Sequence, residues 1–297
     1  MPRSAYLHPG GRDWIESWQQ DAQAYSTTLY TALTVPTAWG DTRVYASGHT
    51  HHERPALICW PGFRTCSMFW DIHDTIQLLT PTHRVYLVDV IGQPGLSALD
   101  TPPLWSDGYG QWMQSLMDGL GLAEADMAGA SFGGYLIGKL AATAPERIRR
   151  AVLVASAGLA PLYLSWYMIE ANMRPILSPS EAEVDYFLDR MIFRSPDHVL
   201  DEGRHIHIRN YELYVMRHFR LSAYPPVVLE DHVWRRLTSP VLVIHGEHDR
   251  MFKASRVAAR AQKVFSALED AVILPGHAHG LEVSARTFEL MRDFLAG

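Results

Sequence analysis

The chain is predicted to fold as an α/β protein, a mostly parallel, doubly wound sheet carrying an inserted helical lid. Three observations predict this. Short apolar runs alternate with helical patterns along most of the 297 residues. One stretch, 157–236, breaks the alternation and contains no run suited to a buried strand. Gly129-Ala130-Ser131-Phe132-Gly133 stands where an apolar run passes into an amphipathic pattern, the place for a tight strand-to-helix turn.

The elements follow in order. Residues 30–35 and 42–47 are β-branched and aromatic runs joined through Gly40-Asp41, a hairpin pattern. Apolar runs come next at 56–60, 85–90, 126–130, 151–155, 241–244 and 271–274. Continuous apolar runs of this length fit strands covered on both faces. Helical patterns at 67–79, 108–120, 132–144, 254–268 and 281–295 separate them. Strand–helix alternation builds a sheet with helices on both sides. The reading divides the chain into a core of 1–156 with 237–297 and a lid of 157–236. The lid is rich in Met and aromatic residues, among them Tyr163, Trp166 and Tyr167. Most should pack within the lid, and the rest should face an apolar pocket.

Composition narrows the function. There are 26 basic and 32 acidic residues, for a net charge of −6, with no basic block. That charge pattern argues against nucleic-acid binding. No apolar run reaches the ~18 residues a membrane span needs, and residues 1–13 lack a secretory apolar core. Cys59 and Cys66 are two cysteines only, too few for a disulfide framework, so reduced thiols and a cytoplasmic location are expected.

The chemistry centres on Ser131. A Gly-x-Ser-x-Gly turn between strand and helix lifts the serine hydroxyl clear of the sheet. A serine needs a base and an orienting acid to become a nucleophile. Both stand at strand ends further on. Val241-Leu242-Val243-Ile244-His245-Gly246-Glu247-His248-Asp249 runs from a buried strand into a loop, and the last strand leads to Gly276-His277-Ala278-His279.

The order serine, acid, histidine resembles that of the α/β hydrolases. The resemblance spans nearly the whole chain. Phe132-Gly133-Gly134-Tyr135 through Ala144-Pro145-Glu146-Arg147 is similar to that family's helix after the nucleophile. Asp89-Val90-Ile91-Gly92-Gln93-Pro94-Gly95-Leu96-Ser97 resembles its loop after the fourth strand, with one added residue between the glycines. There Asp89 is expected to bond loop backbone. Residues 25–48, with Pro36-Thr37, Gly40-Asp41-Thr42 and Ser47-Gly48, resemble a bacterial carboxylesterase group that includes naproxen esterase.

The resemblance implies a catalytic triad of Ser131, Asp249 and His277. His277 is chosen over His279 because it directly follows Gly276 and precedes Glu282 by five residues, as the family pattern has it. Asp249 is chosen over Glu247, which sits nearer the strand. An oxyanion hole would use the backbone amides of Phe132 and of Phe63 in Trp60-Pro61-Gly62-Phe63. Pro61 replaces the usual histidine there and has no amide hydrogen. Arg64, Trp70, Tyr163, Trp166 and Tyr167 are expected at the substrate pocket, with Cys66 bordering the same cleft.

No cofactor is implied. His49-Thr50-His51-His52 and His205-Ile206-His207 each resemble part of a metal site, but Glu53 and Arg54 interrupt the first where a metallo-hydrolase run would continue. Zinc sites need three or four convergent ligands. These are read as surface-loop histidines, with no metal. The expected function is cleavage of a carboxylic ester of a small, largely apolar substrate through an acyl-enzyme. Lactone, amide or carbon–carbon hydrolysis remains open, as does a slow-turnover ligand sensor on the same fold. The oligomeric state is left open.

Overall fold

The computed structural model of the protein describes residues 5–193, 201–220 and 227–297. Eight strands form one sheet: β1 (Thr31–Thr37), β2 (Gly40–Ser47), β3 (Ala56–Trp60), β4 (Arg84–Val88), β5 (Ala125–Ala130), β6 (Ile148–Val154), β7 (Val241–Gly246) and β8 (Leu268–Leu274). Their spatial order is β1-β2-β4-β3-β5-β6-β7-β8. β2 runs antiparallel to both neighbours, and every pairing from β4 to β8 is parallel. The expected fold class is correct. β3, β5 and β7 are buried along their whole length, which is why they read as unbroken apolar runs.

Helices cover both faces. On one side lie α2 (Gly108–Gly119), α3 (Phe132–Thr143) and α8 (Ala254–Val264), whose Trp112, Leu136 and Val257 share a core with Ile58 and Val243. On the other lie α1 (Gly11–Gln23) and α9 (Ala285–Ala296), whose Trp18 and Phe288 share a core with Leu57 and Ile244. Between β6 and β7 the chain forms α4 (Trp166–Leu177), α5 (Glu181–Phe187), a wide turn at Leu188–Ile192, α6 (Glu202–His218) and α7 (Asp231–Trp234). Ser165, Ser180 and Asp201 cap α4, α5 and α6 by accepting amide hydrogens of the first turn.

Three local expectations change. The helix expected over 67–79 is two short 3-10 turns, Ser67–Trp70 and Ile76–Leu78. Asp71 is the cause. Its carboxylate accepts the Ile76 amide at 2.8 Å and the Ser26 and Tyr30 hydroxyls at 2.5 Å, and Asp74 turns the chain with φ 59°. Those side-chain bonds compete with the helical ladder. The pattern over 281–295 likewise divides into a 3-10 turn, Leu281–Val283, and α9. Finally, α1 precedes the hairpin, where no element was expected. It buries Ile15, Trp18, Gln19 and Ala22, one helical face, against the sheet and α6.

Candidate active site

Ser131 follows β5 and opens α3 with φ 48° and ψ −107°, a conformation a non-glycine residue rarely adopts. The surroundings over-determine it. Its amide donates to the Val154 carbonyl at 2.9 Å, and its carbonyl accepts the amides of Gly134 and Ala157 at 3.1 and 3.0 Å. The flanking glycines have no alternative. A Cβ on Gly129 would stand 2.5 Å from the Gly133 carbonyl carbon, and one on Gly133 would stand 2.0 Å from the Trp60 oxygen.

A cavity of about 260 Å³ opens beside Ser131. Asp249 and His279 meet at its edge. The Asp249 carboxylate is held at both oxygens. Oδ1 accepts the amides of Met251 and Phe252 at 2.7 and 3.0 Å, and Oδ2 lies 2.8 Å from His279 Nδ1 and 3.1 Å from His245 Nε2. Burial favours the neutral acid, but His279 and His245 outweigh it and hold the carboxyl well below the usual aspartate range. Burial likewise opposes a charged His279, yet Asp249 and Glu282 raise its pKa above the ordinary histidine value.

This corrects the choice of histidine. His277 does not face Asp249 and does not line the cavity. Its Nδ1 lies 2.8 Å from the Pro275 carbonyl, within its own turn, and its Nε2 lies 3.4 Å from Ser284 Oγ. The backbone decides the matter. The His277 carbonyl accepts the His248 amide at 2.7 Å and, with Ala278, presses against Gly246. Two residues later the His279 and Gly280 amides donate to Met191 and Ile192 at 3.3 and 3.0 Å, which draws the imidazole of His279 into the cavity. Glu247 accepts the Gly276 amide at 2.9 Å and takes no part in the Asp249 arrangement.

The loop after β3 forms another wall. Gly62, Phe63, Arg64 and Thr65 all line the cavity, and a Cβ on Gly62 would stand 3.8 Å from that of Ser131. Thr65 donates its hydroxyl to the Gly62 carbonyl at 2.8 Å, and the Arg64 amide, at φ 68°, donates to Gln93 Oε1 at 2.8 Å. The Phe63 ring meets the Phe132 ring edge-on, 5.8 Å between centroids. Phe132 is the first residue of α3, so its amide is among those with no acceptor inside the helix.

Of the pocket residues expected from sequence, Arg64 lines the cavity and four do not. Trp70 is wholly buried against Phe288. Tyr163 lies under the Lys253 ammonium and Tyr167 under the Arg250 guanidinium, outside the cavity wall. Trp166 is 79% exposed. For Trp166 and Tyr167 the reason is the orientation of α4, which buries Met168, Ala171 and Pro175 instead. The wall is supplied instead by Phe187, Leu188, Ile192 and Phe193. Cys66 is fully buried, and burial pushes its thiol pKa far up. The histidines of 205–207 lie on α6, not in a surface loop. His205 Nε2 is 2.9 Å from Asp185, and His207 stacks on Trp18 at 4.3 Å.

Sequence reasoning also missed Glu212, a cavity residue only 5% exposed. A signal for it existed. Ile208, Tyr211, Glu212 and Val215 fall at i, i+3, i+4 and i+7, the spacing of a buried helix face. No comparable signal separates His279 from His277.

The elbow, the acid–histidine pair and the sheet that carries them decide the fold. The chain has the α/β-hydrolase fold. A family profile for the alpha/beta hydrolase fold matches residues 55–187. The chain is 25% identical to carboxylesterase YbfK of Bacillus subtilis over 95% of its own length and 96% of that protein's. It is 27% identical to a 2-hydroxymuconate semialdehyde hydrolase of Pseudomonas putida over 72% of its length and 78% of that protein's. Among solved structures, naproxen esterase of Bacillus subtilis superimposes with a TM-score of 0.81 at 21% identity, covering 97% and 99% of the two chains.

Proposed function

We propose that the protein is a cofactor-independent serine esterase acting on small, largely apolar carboxylic esters, with Ser131, His279 and Asp249 as its triad. The observation that carries this reading is the 2.8 Å contact of His279 Nδ1 with Asp249, in a cavity that also contains Ser131 at its strained turn. Asp249 accepts from Nδ1, so Nε2 of neutral His279 is left as the base. Ser131 Oγ attacks the ester carbonyl carbon while its proton passes to His279 Nε2. The tetrahedral oxyanion is received by the amides of Phe63 and Phe132. His279 then returns the proton to the departing alkoxide, leaving an acyl-Ser131. Water, deprotonated by the same histidine, cleaves that ester and releases the acid.

The helical segment 157–236 acts as the lid, contributing Phe187, Leu188, Ile192 and Phe193 to an acyl-binding wall. The relatives named carboxylesterase, which match more of the chain than the 2-hydroxymuconate semialdehyde hydrolase does, support ester chemistry. The test is a panel of acyl esters of graded chain length, assayed on wild type and Ser131→Ala. Many turnovers per enzyme and a kcat/KM that rises with chain length before levelling off are expected. Each buried methylene contributes up to about 0.8 kcal/mol. Stoichiometric ligand uptake without turnover would overturn the enzymatic reading in favour of a sensor.

A further inference from the structure

Glu212 faces the cavity from α6 and is 5% exposed, with its Oε2 bonded to nothing among the described residues. It cannot turn to solvent, because Ile208, Tyr211 and Val215 on the same face are wholly buried. A second carboxyl, Glu282, lines the same cavity. Its Oε1 lies 3.9 Å from where a Cβ on Gly62 would stand, at the Ser131 end. Glu282 is already coupled to His279, while Arg64 also lines the cavity. Its guanidinium lies over the Phe187 ring at 5.4 Å and makes no ion pair within 4 Å among the described residues. Most of the remaining wall is apolar. A carboxyl oxygen buried without a donor is costly, and ester cleavage at Ser131 gives this one nothing to do. The unpartnered Glu212 oxygen is an acceptor that a cation with N–H donors would complement.

We propose that Glu212 is a specificity residue that receives a protonated primary amino group carried by the substrate, in the same cavity that holds its ester. This rests on the esterase reading above. Burial pushes the Glu212 carboxyl up to about 7, with Arg64 lowering it and Glu282 adding to the rise. Its ionised fraction therefore rises between pH 6 and pH 8.

The experiment compares isosteric ester pairs at pH 8. One pair carries the amine on the acid, butyl 6-aminohexanoate against butyl heptanoate. The other carries it on the alcohol, 6-aminohexyl butanoate against heptyl butanoate. In one pair the amino ester should exceed its apolar partner about tenfold in kcat/KM, the scale of one charge-assisted hydrogen bond. In Glu212→Gln that ratio should fall to about one. A wild-type ratio at or below one in both pairs, or a ratio unchanged in Glu212→Gln, overturns the proposal. If Glu212→Gln fails to fold, wild type is compared at pH 6 and pH 8. Ionisation of His279 affects both members of a pair alike, so the ratio reports the amino group. A ratio that climbs with pH supports the proposal, and a flat one overturns it. If no ester is cleaved faster than by Ser131→Ala, the esterase reading fails by itself. Calorimetric binding of hexylammonium against hexanol, in wild type and Glu212→Gln, then decides the amine site. Preference for hexylammonium that is lost in the variant supports it, and equal binding overturns it.

Discussion

The imidazole of His279 is the group on which the proposed chemistry turns, and its environment makes two predictions. Ser131→Ala and His279→Ala should each lower kcat by orders of magnitude, and the double variant should lose little more, because such residues act as one unit. His277→Ala should retain most of its kcat, since that ring lies against Pro275 and Ser284. Steady-state kinetics on the four variants checks the assignment. The pH dependence follows from the raised His279 pKa. Only the neutral ring can take the Ser131 proton. Activity should therefore appear as pH rises through a value above the ordinary ~6.5. Glu282 contributes to that rise, so Glu282→Gln should shift the acid limb of kcat/KM to lower pH. A limb that stays in place or moves upward in Glu282→Gln contradicts this account.

Among the elements, the strand-to-helix elbow and the loop after β3 serve the proposed catalysis through backbone. At the elbow, a methyl on Gly133 would stand 2.0 Å from the Trp60 carbonyl, so strand and helix must separate to admit it. Overpacking of this kind costs typically about 1–3 kcal/mol. Gly133→Ala should lower the Tm accordingly and reduce kcat, because the shift displaces Ser131. In the loop, the Phe63 amide is the proposed oxyanion donor. Phe63→Ala keeps that amide and should mainly alter KM. Phe63→Pro removes it and should lower kcat by about 10²–10³. Equal kcat in the two variants, at matched Tm, would place the donor elsewhere.

Across the whole molecule, the segment before the hairpin is tied to the site by a buried polar network. Gln19 of α1 donates to both Asp89 oxygens at 3.0 and 2.9 Å and accepts the Tyr45 hydroxyl at 2.7 Å. The same carboxylate accepts the amides of Ser67 and Leu96 at 2.8 and 2.7 Å, as expected for an aspartate that bonds loop backbone. Tyr6 and Tyr211 then donate to Gly95 and Pro94 in the loop after β4. N-terminal segment, sheet and α6 are thereby joined around one side chain, Asp89. Gln19→Leu fits the volume but leaves Asp89 and Tyr45 short of partners. Leaving such groups unsatisfied costs about 1–3 kcal/mol each. Urea unfolding should show a loss of that order, and an unchanged midpoint would count against the network.

The sheet, the strand-to-helix turn at Ser131 and the place of Asp249 beyond a buried strand were legible because each is written locally. Strands buried on both faces must be continuously apolar, and Gly129 and Gly133 flank Ser131 because no other side chain fits there. The helices inserted between β6 and β7 were legible for the same reason, as an absence of such runs. What local pattern could not reveal depends on side chains meeting across long separations. The helix expected over 67–79 yields to Asp71, whose partners Ser26 and Tyr30 lie more than forty positions away. That His279, and not His277, stands beside Asp249 depends on carbonyls of Met191 and Ile192, contributed by the inserted segment. The wall of the cavity depends on which face α4 buries, and that is fixed by its neighbours, not by its own sequence. Periodicity and motif spacing report what one segment needs. The tertiary structure alone decides which donor, acceptor or ring another segment brings to meet it.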